Sequence, residues 1–342
     1  DLTLNYNVAV GIGANLQFQY ANPAGAGGDN PVTFLGTESY DTLVLTEAIP
    51  IENQLQSADS VGSALDFMGL AYAQNPQVQT YLYETWEFRT LPNWRDTIDE
   101  RRGYYEQLRD GVNATYAGLP MRIIPGGQAL GAVIDAIRDG RLPDTSDELD
   151  LFVDDIHLTD KGNYCIALTH YATIFQRSPA GLPAALNDEF GSSYTAFTAA
   201  DAAVIQDIVW EVVQAEPHSG VPAVPGVPRV VGQIPSSLST DVPVGSNIVI
   251  TFSEAMDAAT MDSTSISVGV GGVDVPGTIS YSGMDATFTP SSDLAESTLY
   301  TVTVTPSVED ATGTPFGARH AWSFTTGLAP VPLAVSSTFP LP

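Results

Sequence analysis

The sequence predicts two domains, an α/β domain built on a parallel sheet and, after it, an all-β sandwich. Three observations predict this fold class. Strand-like and helix-like segments alternate through residues 1–216, proline and glycine are concentrated in residues 217–228, and short strands rich in β-branched and aromatic residues fill residues 229–327. A proline-rich tail, residues 328–342, is expected to be extended. The chain, with 342 residues, is long enough to bury a core in each domain.

The α/β domain is predicted from two different spacings of apolar residues. Strand-like segments lie at 5–13, 40–48, 78–86 and 121–127, and the second of them is the nearly continuous apolar run of a buried parallel strand. Apolar residues recur at helical spacing at 60–75, 94–116, 128–140, 163–176 and 198–215. Gly140 can cap the third helix. This alternation predicts a parallel sheet covered on both faces, with ligands bound at the carboxyl ends of its strands.

The linker and the sandwich are predicted from turn residues. The segment "EPHSGVPAVPGVP" contains four prolines and two glycines in thirteen positions, a composition that neither a helix nor a central strand tolerates. Short strands with an apolar period of two follow at 247–253, 265–270, 277–282, 285–290, 299–306 and 320–326. Turn residues separate them at regular intervals, which is typical of a β-sandwich.

The chain is strongly acidic. Forty aspartates and glutamates against twelve basic residues give a net charge of −28, and Lys161 is the only lysine. Such a surface repels nucleic acids and anionic membranes, so neither is predicted as a partner. A solvated surface is the simpler interpretation of these acids, and binding of Ca²⁺ is the alternative. No run of 18 or more apolar residues occurs, so no membrane span is predicted.

The single cysteine and three of the four histidines offer little chemistry. Cys165 has no partner for a disulfide or a cysteine-based metal cluster, and its apolar helical run predicts a buried spectator thiol. His170 lies in the same predicted helix, His218 in the linker and His320 in the sandwich. We expect these three to be structural or exposed.

The stretch "FVDDIHLTDKGNY", residues 152–164, has the densest chemistry in the chain. Asp154 precedes His157 by three residues, so its carboxylate can turn back onto the imidazole and hold one ring nitrogen. The other nitrogen is then free to take a proton from a nucleophile. A D-x-x-H string is common by chance, but here it precedes a predicted helix with Thr159 or Asp160 available as a cap. A purely structural contact between the two side chains is the alternative.

Asp154, His157 and Gly162 form a D-x-x-H-x-x-x-x-G pattern that resembles the last sequence block of the SGNH (GDSL-like) hydrolases. The resemblance implies a three-layer, flavodoxin-like α/β fold and hydrolysis of acyl esters of carbohydrate or lipid. It implies that His157 is the general base, that Asp154 orients it and that Gly13, in "GIGANL", donates a backbone N–H to the oxyanion hole. This chemistry requires no metal or organic cofactor.

The third block of that family, G-x-N-D, is absent here. Thr46 and Glu47 occupy the corresponding strand end, and Asn53 lies too far downstream to replace the family's asparagine. Glu84 and Trp86 end the next strand and are expected near the same crevice.

Three interpretations of the two glutamates stay open. They form a polar pocket, a metal site together with Asp155, or ion pairs with Arg89 and Arg95. The ion pairs are the favoured interpretation.

The family's nucleophile is a serine in a G-D-S or G-N-S block, and no such string precedes "GIGANL". We expect the first strand of the sheet, the serine and a helix to lie upstream of Asp1. Two alternatives stay open: the protein is a degenerate relative that keeps only the fold, or the likeness is accidental.

The segments "PSSLSTDVPVGSNIVITFSEAMD", "LYTVTVTPSVEDATGTPF" and "WSFTT" resemble the bacterial Ig-like modules of surface and secreted proteins. The resemblance implies a spacer or adhesion module and an extracellular or cell-surface protein. Four acids in its predicted loops are alternative Ca²⁺ ligands, although solvated side chains are the simpler interpretation; they are Glu254, Asp257, Glu309 and Asp310.

Two functional hypotheses follow. The first is a secreted SGNH-type ester hydrolase whose Ig-like module positions it on a surface polymer. The second is a non-catalytic extracellular structural or adhesion protein, a self-assembling unit of a surface assembly, that uses a degenerate hydrolase scaffold.

Overall fold

The computed structural model describes residues 6–10, 14–23, 27–28, 30–185, 187, 193–194 and 197–329. These residues form an α/β region followed by an all-β region, which confirms the predicted fold class at this level. The described part of the chain contains no helix that is both long and apolar enough to span a bilayer.

The α/β region contains helices of very different length. They are α1 (Leu16–Ala21), α2 (Pro31–Thr37), α3 (Ile51–Ser57), α4 (Ser60–Gln74), α5 (Trp94–Asn113), α6 (Gly126–Arg138), α7 (Asp160–Phe175) and α8 (Ala199–Ala215). Its strands are β1 (Ala9–Val10), β2 (Gly27–Gly28), β3 (Thr42–Leu45), β4 (Gln79–Tyr83) and β5 (Arg122–Ile124).

The main sheet of this region has three parallel strands in the order β3-β4-β5. Leu43 lies opposite Thr80, and Leu82 lies opposite Ile123. Parallel neighbours need crossover connections, which α3 and α4 supply between β3 and β4, and α5 supplies between β4 and β5. The segments that follow these three strands therefore meet at one edge of the sheet.

Apolar side chains of the α/β region pack in two clusters. One joins the strands to α4 and α5, and it buries Phe67, Met68 and Leu108. The other, the α6–α8 cluster, joins the last three helices and contains Cys165. Each large apolar side chain buried in this way stabilises the fold by about 1.5–3 kcal/mol. Burial raises the pKa of the Cys165 thiol to about 12, so it is protonated and inert at neutral pH.

The prediction of a strand at 5–13 in the parallel sheet is wrong. Among residues 6–10, the part of this segment that the structure describes, Ala9–Val10 is a strand, and it pairs antiparallel with Gly27–Gly28 in a separate two-stranded sheet. The apolar alternation predicts an extended backbone, but it does not specify the strand with which that backbone pairs. The short helices α1, α2 and α3 were not predicted, because each is too short for apolar periodicity to reveal it.

The all-β region contains two antiparallel four-stranded sheets. Their orders are β10-β11-β7-β6 and β13-β12-β8-β9. The strands are β6 (Val230–Ile234), β7 (Ile248–Phe252), β8 (Ile266–Val270), β9 (Val273–Asp274), β10 (Gly277–Ser282), β11 (Asp285–Pro290), β12 (Leu299–Val304) and β13 (His320–Thr325). Phe252, Val268 and Phe324 are fully buried in the core of this region. The predicted strands form, and β6 and β9 are additional; β6 was missed because a register shift interrupts its pairing, and β9 because it has two residues.

The two regions pack directly against each other through α5, which contacts β12 and β13. The side chain of Asp99 is buried between Arg95 of the same helix and Arg319 of the all-β region. The hydroxyl of Ser323 donates a hydrogen bond of 3.1 Å to the backbone oxygen of Glu100. The contact between the regions therefore includes buried charges as well as main-chain groups.

Residues 217–228, the predicted linker, contain no helix or strand and pack along the α/β region. The backbone N–H of Ile123 in β5 donates to the backbone oxygen of His218 at 2.9 Å. The side chain of Val221 is buried in the α6–α8 cluster. The segment is therefore anchored where it leaves the α/β region.

Gly103 allows α5 to approach the all-β region closely. A Cβ atom there would lie 2.6 Å from Ser237 Oγ and 2.7 Å from Leu238 Cγ. Gly103→Ala is expected to lower the free energy of unfolding by about 1–3 kcal/mol, because the added methyl forces the interface apart. Gly69→Ala in α4 is the matched control, since a Cβ there meets nothing within 4 Å, and it is expected to stabilise by about 0.5–1 kcal/mol. Denaturant titration measures both; equal effects would contradict the close approach.

Candidate active site

The D-x-x-H motif lies in a tight loop directly before α7. Phe152 and Leu158 form an isolated antiparallel bridge, and the backbone N–H of Val153 donates to the backbone oxygen of His157 at 2.8 Å. These bonds close the loop on itself. The helix then begins at Asp160, which confirms that the motif leads into a helix.

The geometry at the start of α7 explains why a threonine and a glycine follow the histidine. Thr159 is the N-cap, and its hydroxyl oxygen accepts from the backbone N–H of Gly162, as one of the two predicted caps. A Cβ at Gly162 would lie 2.4 Å from the backbone oxygen of Leu151. A glycine is therefore required at the fifth position after the histidine for the helix to begin this close to the preceding turn.

Asp154 and His157 are brought together as the motif predicts. The Nδ1 atom of His157 lies 2.8 Å from Asp154 Oδ2. The other oxygen, Oδ1, accepts the backbone N–H groups of Ile156 at 2.9 Å and of His157 at 2.8 Å. The backbone N–H groups of His157 and Ile156, followed by the His157 side chain, lower the pKa of Asp154 to about 2. The carboxylate is thus charged at neutral pH and suited to hold an imidazole.

The histidine faces solvent. Its side chain is 76% exposed and that of Asp154 is 52% exposed. Asp154 engages Nδ1, and among the described residues no hydroxyl forms a hydrogen bond with Nε2 of His157. This arrangement can take a proton at Nε2 from a group that approaches from outside the described fold.

Glu47 and Glu84 follow the ends of β3 and β4, but they lie in the interior. Glu47 is 3% exposed, and its Oε1 accepts the backbone N–H groups of Leu16 at 3.0 Å and of Ala48 at 2.7 Å. Its Oε2 is buried without a hydrogen-bond partner. Glu47 therefore fixes the start of α1 against the end of β3.

Glu84 is 1% exposed and accepts a hydrogen bond of 3.0 Å from the side-chain amide of Gln128. Burial raises its pKa to about 8, against the opposing effects of Arg102 and Gln128. The carboxyl group is accordingly protonated at neutral pH. Arg102 itself is paired with Glu106 and Glu216.

The predicted ion pairs of these glutamates with Arg89 and Arg95 are wrong. Arg95 pairs with Asp99 at 3.3 Å and with Asp135 at 2.9 Å. The guanidinium of Arg89 lies 4.5 Å from the ring centre of Phe152. Arg95 thus pairs with one acid a turn away on its own helix and with one on α6, a partner that the sequence pattern does not reveal.

Trp86 is the one predicted pocket residue that contacts the histidine loop. Its indole N–H donates a hydrogen bond of 2.9 Å to the backbone oxygen of Ile156. Asp155, which was considered as a ligand of a metal site, instead accepts a hydrogen bond of 2.9 Å from the hydroxyl of Thr90, a residue that the sequence did not single out. The loop is thus attached to the segment that follows β4.

One predicted site residue is outside the described ranges, and two further histidines lie in other parts of the fold. Gly13, the expected oxyanion donor, lies outside the described residues. His170 contacts Tyr83 in an edge-to-face arrangement, with ring centres 4.7 Å apart, and His320 Nε2 forms a hydrogen bond of 2.9 Å with the side-chain oxygen of Gln233. Burial lowers the pKa of His320 to about 3, so this ring is neutral and structural.

Two of the four acids considered for Ca²⁺ binding accept hydrogen bonds within turns. Asp257 accepts the backbone N–H of Ala259 at 2.9 Å, and Asp310 accepts those of Thr312 and Thr314 at 2.7 and 2.8 Å. Across the described ranges, no group of three or more histidine, cysteine, aspartate or glutamate side chains is arranged to hold a metal ion.

Solved structures with partial similarity include an L,D-transpeptidase from Mycobacterium smegmatis (17% identity, 29% of this chain and 39% of that one, TM-score 0.22). CopC from Methylosinus trichosporium OB3b is 19% identical over 29% of this chain and 91% of that one, with a TM-score of 0.25. Escherichia coli alpha-2-macroglobulin is 19% identical over 30% of this chain and 6% of that one, with a TM-score of 0.25. At these scores none of them supports a functional argument. No curated protein matches the chain.

The all-β region does have a family. Residues 226–326 match the bacterial Ig-like domain family, whereas the α/β region matches no family. Such modules are typical of bacterial surface and extracellular proteins. The C-terminal part of this chain is therefore a bacterial Ig-like domain, as its sequence predicts.

Proposed function

We propose that the α/β region carries the base and its orienting acid of an SGNH-type ester hydrolase, in a secreted protein that its Ig-like domain directs to a surface or polymer. His157 is the general base and Asp154 orients it. The nucleophile is the hydroxyl of a serine outside residues 1–342, and Gly13 contributes to the oxyanion hole. The substrates are acyl esters of carbohydrate or lipid.

The observation that carries the proposal is the 2.8 Å contact between His157 Nδ1 and Asp154 Oδ2 in a loop attached to the segment after β4. In parallel sheets, ligands gather at the carboxyl ends of the strands. A charged carboxylate on Nδ1 fixes the tautomer that leaves Nε2 ready to accept a proton, and it stabilises the imidazolium that forms.

The reaction then proceeds in two steps. Nε2 of His157 takes the proton of the serine hydroxyl while the serine oxygen bonds to the ester carbonyl carbon; the bond to the leaving alcohol breaks, and the imidazolium returns the proton to that alcohol. In the second step a water molecule gives its proton to Nε2 and adds to the acyl carbon. The serine oxygen leaves and takes the proton back, so the acid is released and the enzyme is regenerated.

A second candidate is a non-catalytic structural or adhesion protein of the bacterial surface. Two observations favour it: the α/β region buries charged groups against the Ig-like domain, and the described residues place no hydroxyl at His157 Nε2. A degenerate hydrolase scaffold would likewise keep the His–Asp pair without a hydroxyl at Nε2.

An ester assay separates the two candidates. The natural polypeptide that carries residues 1–342 is expected to hydrolyse p-nitrophenyl acetate, and His157→Ala is expected to lower kcat/KM at least about 100-fold, since a general base contributes that much or more. His218→Gln, in the segment after α8, is the matched histidine control and should retain activity within about twofold. Equal rates in the wild type and His157→Ala would remove the esterase proposal and leave the adhesion protein.

A further inference from the structure

The loop that carries His157 has little packing to hold it in place. The contact with Asp154 fixes the imidazole relative to its own loop, because both residues belong to the same turn. It does not fix the loop relative to the sheet. A general base must meet its proton donor within a few tenths of an ångström, so an exposed base needs some other attachment.

Three hydrogen bonds, each 2.9 Å long, attach this loop to the segment that follows β4. The indole N–H of Trp86 donates to the backbone oxygen of Ile156. The backbone N–H of Arg89 donates to the backbone oxygen of Asp155, and the hydroxyl of Thr90 donates to Asp155 Oδ2. We call these three bonds the loop tether.

Both ends of the loop tether are anchored in the protein interior. Trp86 is partly buried against the α6–α8 cluster. Phe152, at the base of the loop, is buried in that cluster and contacts Trp94, with ring centres 5.6 Å apart. The Arg89 guanidinium also lies over the Phe152 ring, 4.5 Å from its centre. The tether therefore joins an exposed loop to a segment packed on the core, at the two residues that directly precede His157.

We propose that Trp86, Thr90 and Asp155 are positioning residues that hold Nε2 of His157 at the carboxyl edge of the parallel sheet. Asp155 acts through the hydroxyl of Thr90 and the Arg89 amide, and no group of metal-ligating side chains surrounds it in the described residues. The expected effect of these residues on kcat rests on the proposed esterase function, whereas their effect on the attachment of the loop is independent of that function.

Kinetics test the first consequence. Thr90→Val removes the donor and keeps the side-chain volume, and Asp155→Ala removes the acceptor. Each single variant is expected to lower kcat about 10-fold. The double variant, Thr90→Val with Trp86→Phe, is expected to lower it about 100-fold, because a displacement of about 1 Å at the base has an effect of this size. KM should stay within about twofold of the wild type in all of them. Asp155→Asn keeps an oxygen that accepts from Thr90 and should stay within about threefold of the wild type.

The control variant is Thr37→Val in α2. It removes an exposed threonine hydroxyl that donates to the backbone oxygen of Thr33, a bond that is not part of the loop tether. It is expected to leave kcat unchanged. Thermal unfolding midpoints of all these variants should stay within about 3 °C of the wild type, so that a lower kcat reflects the position of the base. Unchanged kcat in Thr90→Val, Asp155→Ala and the double variant of an active wild type would overturn the proposal.

Amide hydrogen exchange tests the geometry in the chain of residues 1–342, with or without activity. The backbone N–H of Arg89 donates to the backbone oxygen of Asp155, so its exchange rate reports how often the loop separates from the segment after β4. In the double variant this amide is expected to exchange at least about 10-fold faster than in the wild type, because the two other bonds of the tether are lost. Faster exchange without esterase activity in the wild type would sustain the tether and refute the proposed function; unchanged exchange would refute the tether.

Discussion

Asp99→Ala is expected to lower the free energy of unfolding by about 3–5 kcal/mol, because it leaves the buried Arg95 and the partly buried Arg319 without the carboxylate that they share. Asp99 is 1% exposed and lies 3.3 Å from Arg95 Nη1 and 2.6 Å from Arg319 Nη2. Burial alone would raise the pKa of Asp99, but Arg95 and Arg319 together bring it below its ordinary value. The carboxylate is therefore ionised in the folded protein, and its loss exposes the desolvation cost of the two guanidinium groups.

Asp99→Ala does not affect the two arginines equally, because they differ in the partners that remain. Arg95 keeps a second carboxylate, Asp135, at 2.9 Å, whereas the remaining hydrogen bond of Arg319 within the described residues is to the hydroxyl of Thr303 at 3.3 Å. Arg319 belongs to the Ig-like domain, so the contact between α5 and that domain should carry most of the loss. Adding Arg319→Met to the Asp99 variant is expected to recover part of it, since an apolar side chain of similar length needs no counter-charge.

Denaturant titration at constant ionic strength measures these differences. Asp110→Ala is the matched control, because the Asp110 side chain is 63% exposed in its pair with Arg109, and such pairs contribute about 0–1 kcal/mol. A loss in Asp99→Ala no larger than that of the control would mean that the buried ions do not stabilise the docking of the Ig-like domain.

The parts of the fold that follow from neighbouring residues were predictable. The three-residue spacing of Asp154 and His157 is enough for the carboxylate to reach the ring, and the structure has this contact. Gly140 lies just after α6 with a φ of +69°, a conformation that glycine adopts without strain. The strands of the Ig-like domain were predicted because its apolar residues repeat every second position.

Features that join distant residues were not predictable. Arg95 pairs with Asp135, forty positions away, and Trp86 forms a hydrogen bond with Ile156, seventy positions away. No local sequence pattern predicts either contact. Some local signals were available but unused. Asn30 followed by a proline is a cap that predicts a helix start, and α2 begins there even though it is too short to show apolar periodicity.

Glu84→Gln is expected to change how stability depends on pH. The raised pKa of Glu84, about 8, means that the folded protein holds a proton that the unfolded chain releases above its own pKa of about 4.5. The contribution of this proton is therefore complete below pH 4.5 and is lost as the pH rises toward 8. Between these limits the wild type should lose about 1.4 kcal/mol per pH unit relative to Glu84→Gln, which cannot titrate there.

From pH 5.5 to 7.5 this difference amounts to about 2–3 kcal/mol, which denaturant titrations at the two pH values resolve. Glutamine preserves the acceptor for Gln128 and the volume at the end of β4, so the comparison isolates the proton. Glu296→Gln, on the surface of the Ig-like domain, is the control for removing one acid from a chain of net charge −28, and the pH dependence of Glu84→Gln is compared with it. If Glu84→Gln behaves like that control, the carboxyl group is ionised in the folded protein, with Arg102 as its counter-charge, and the interior behind the histidine loop is charged rather than neutral.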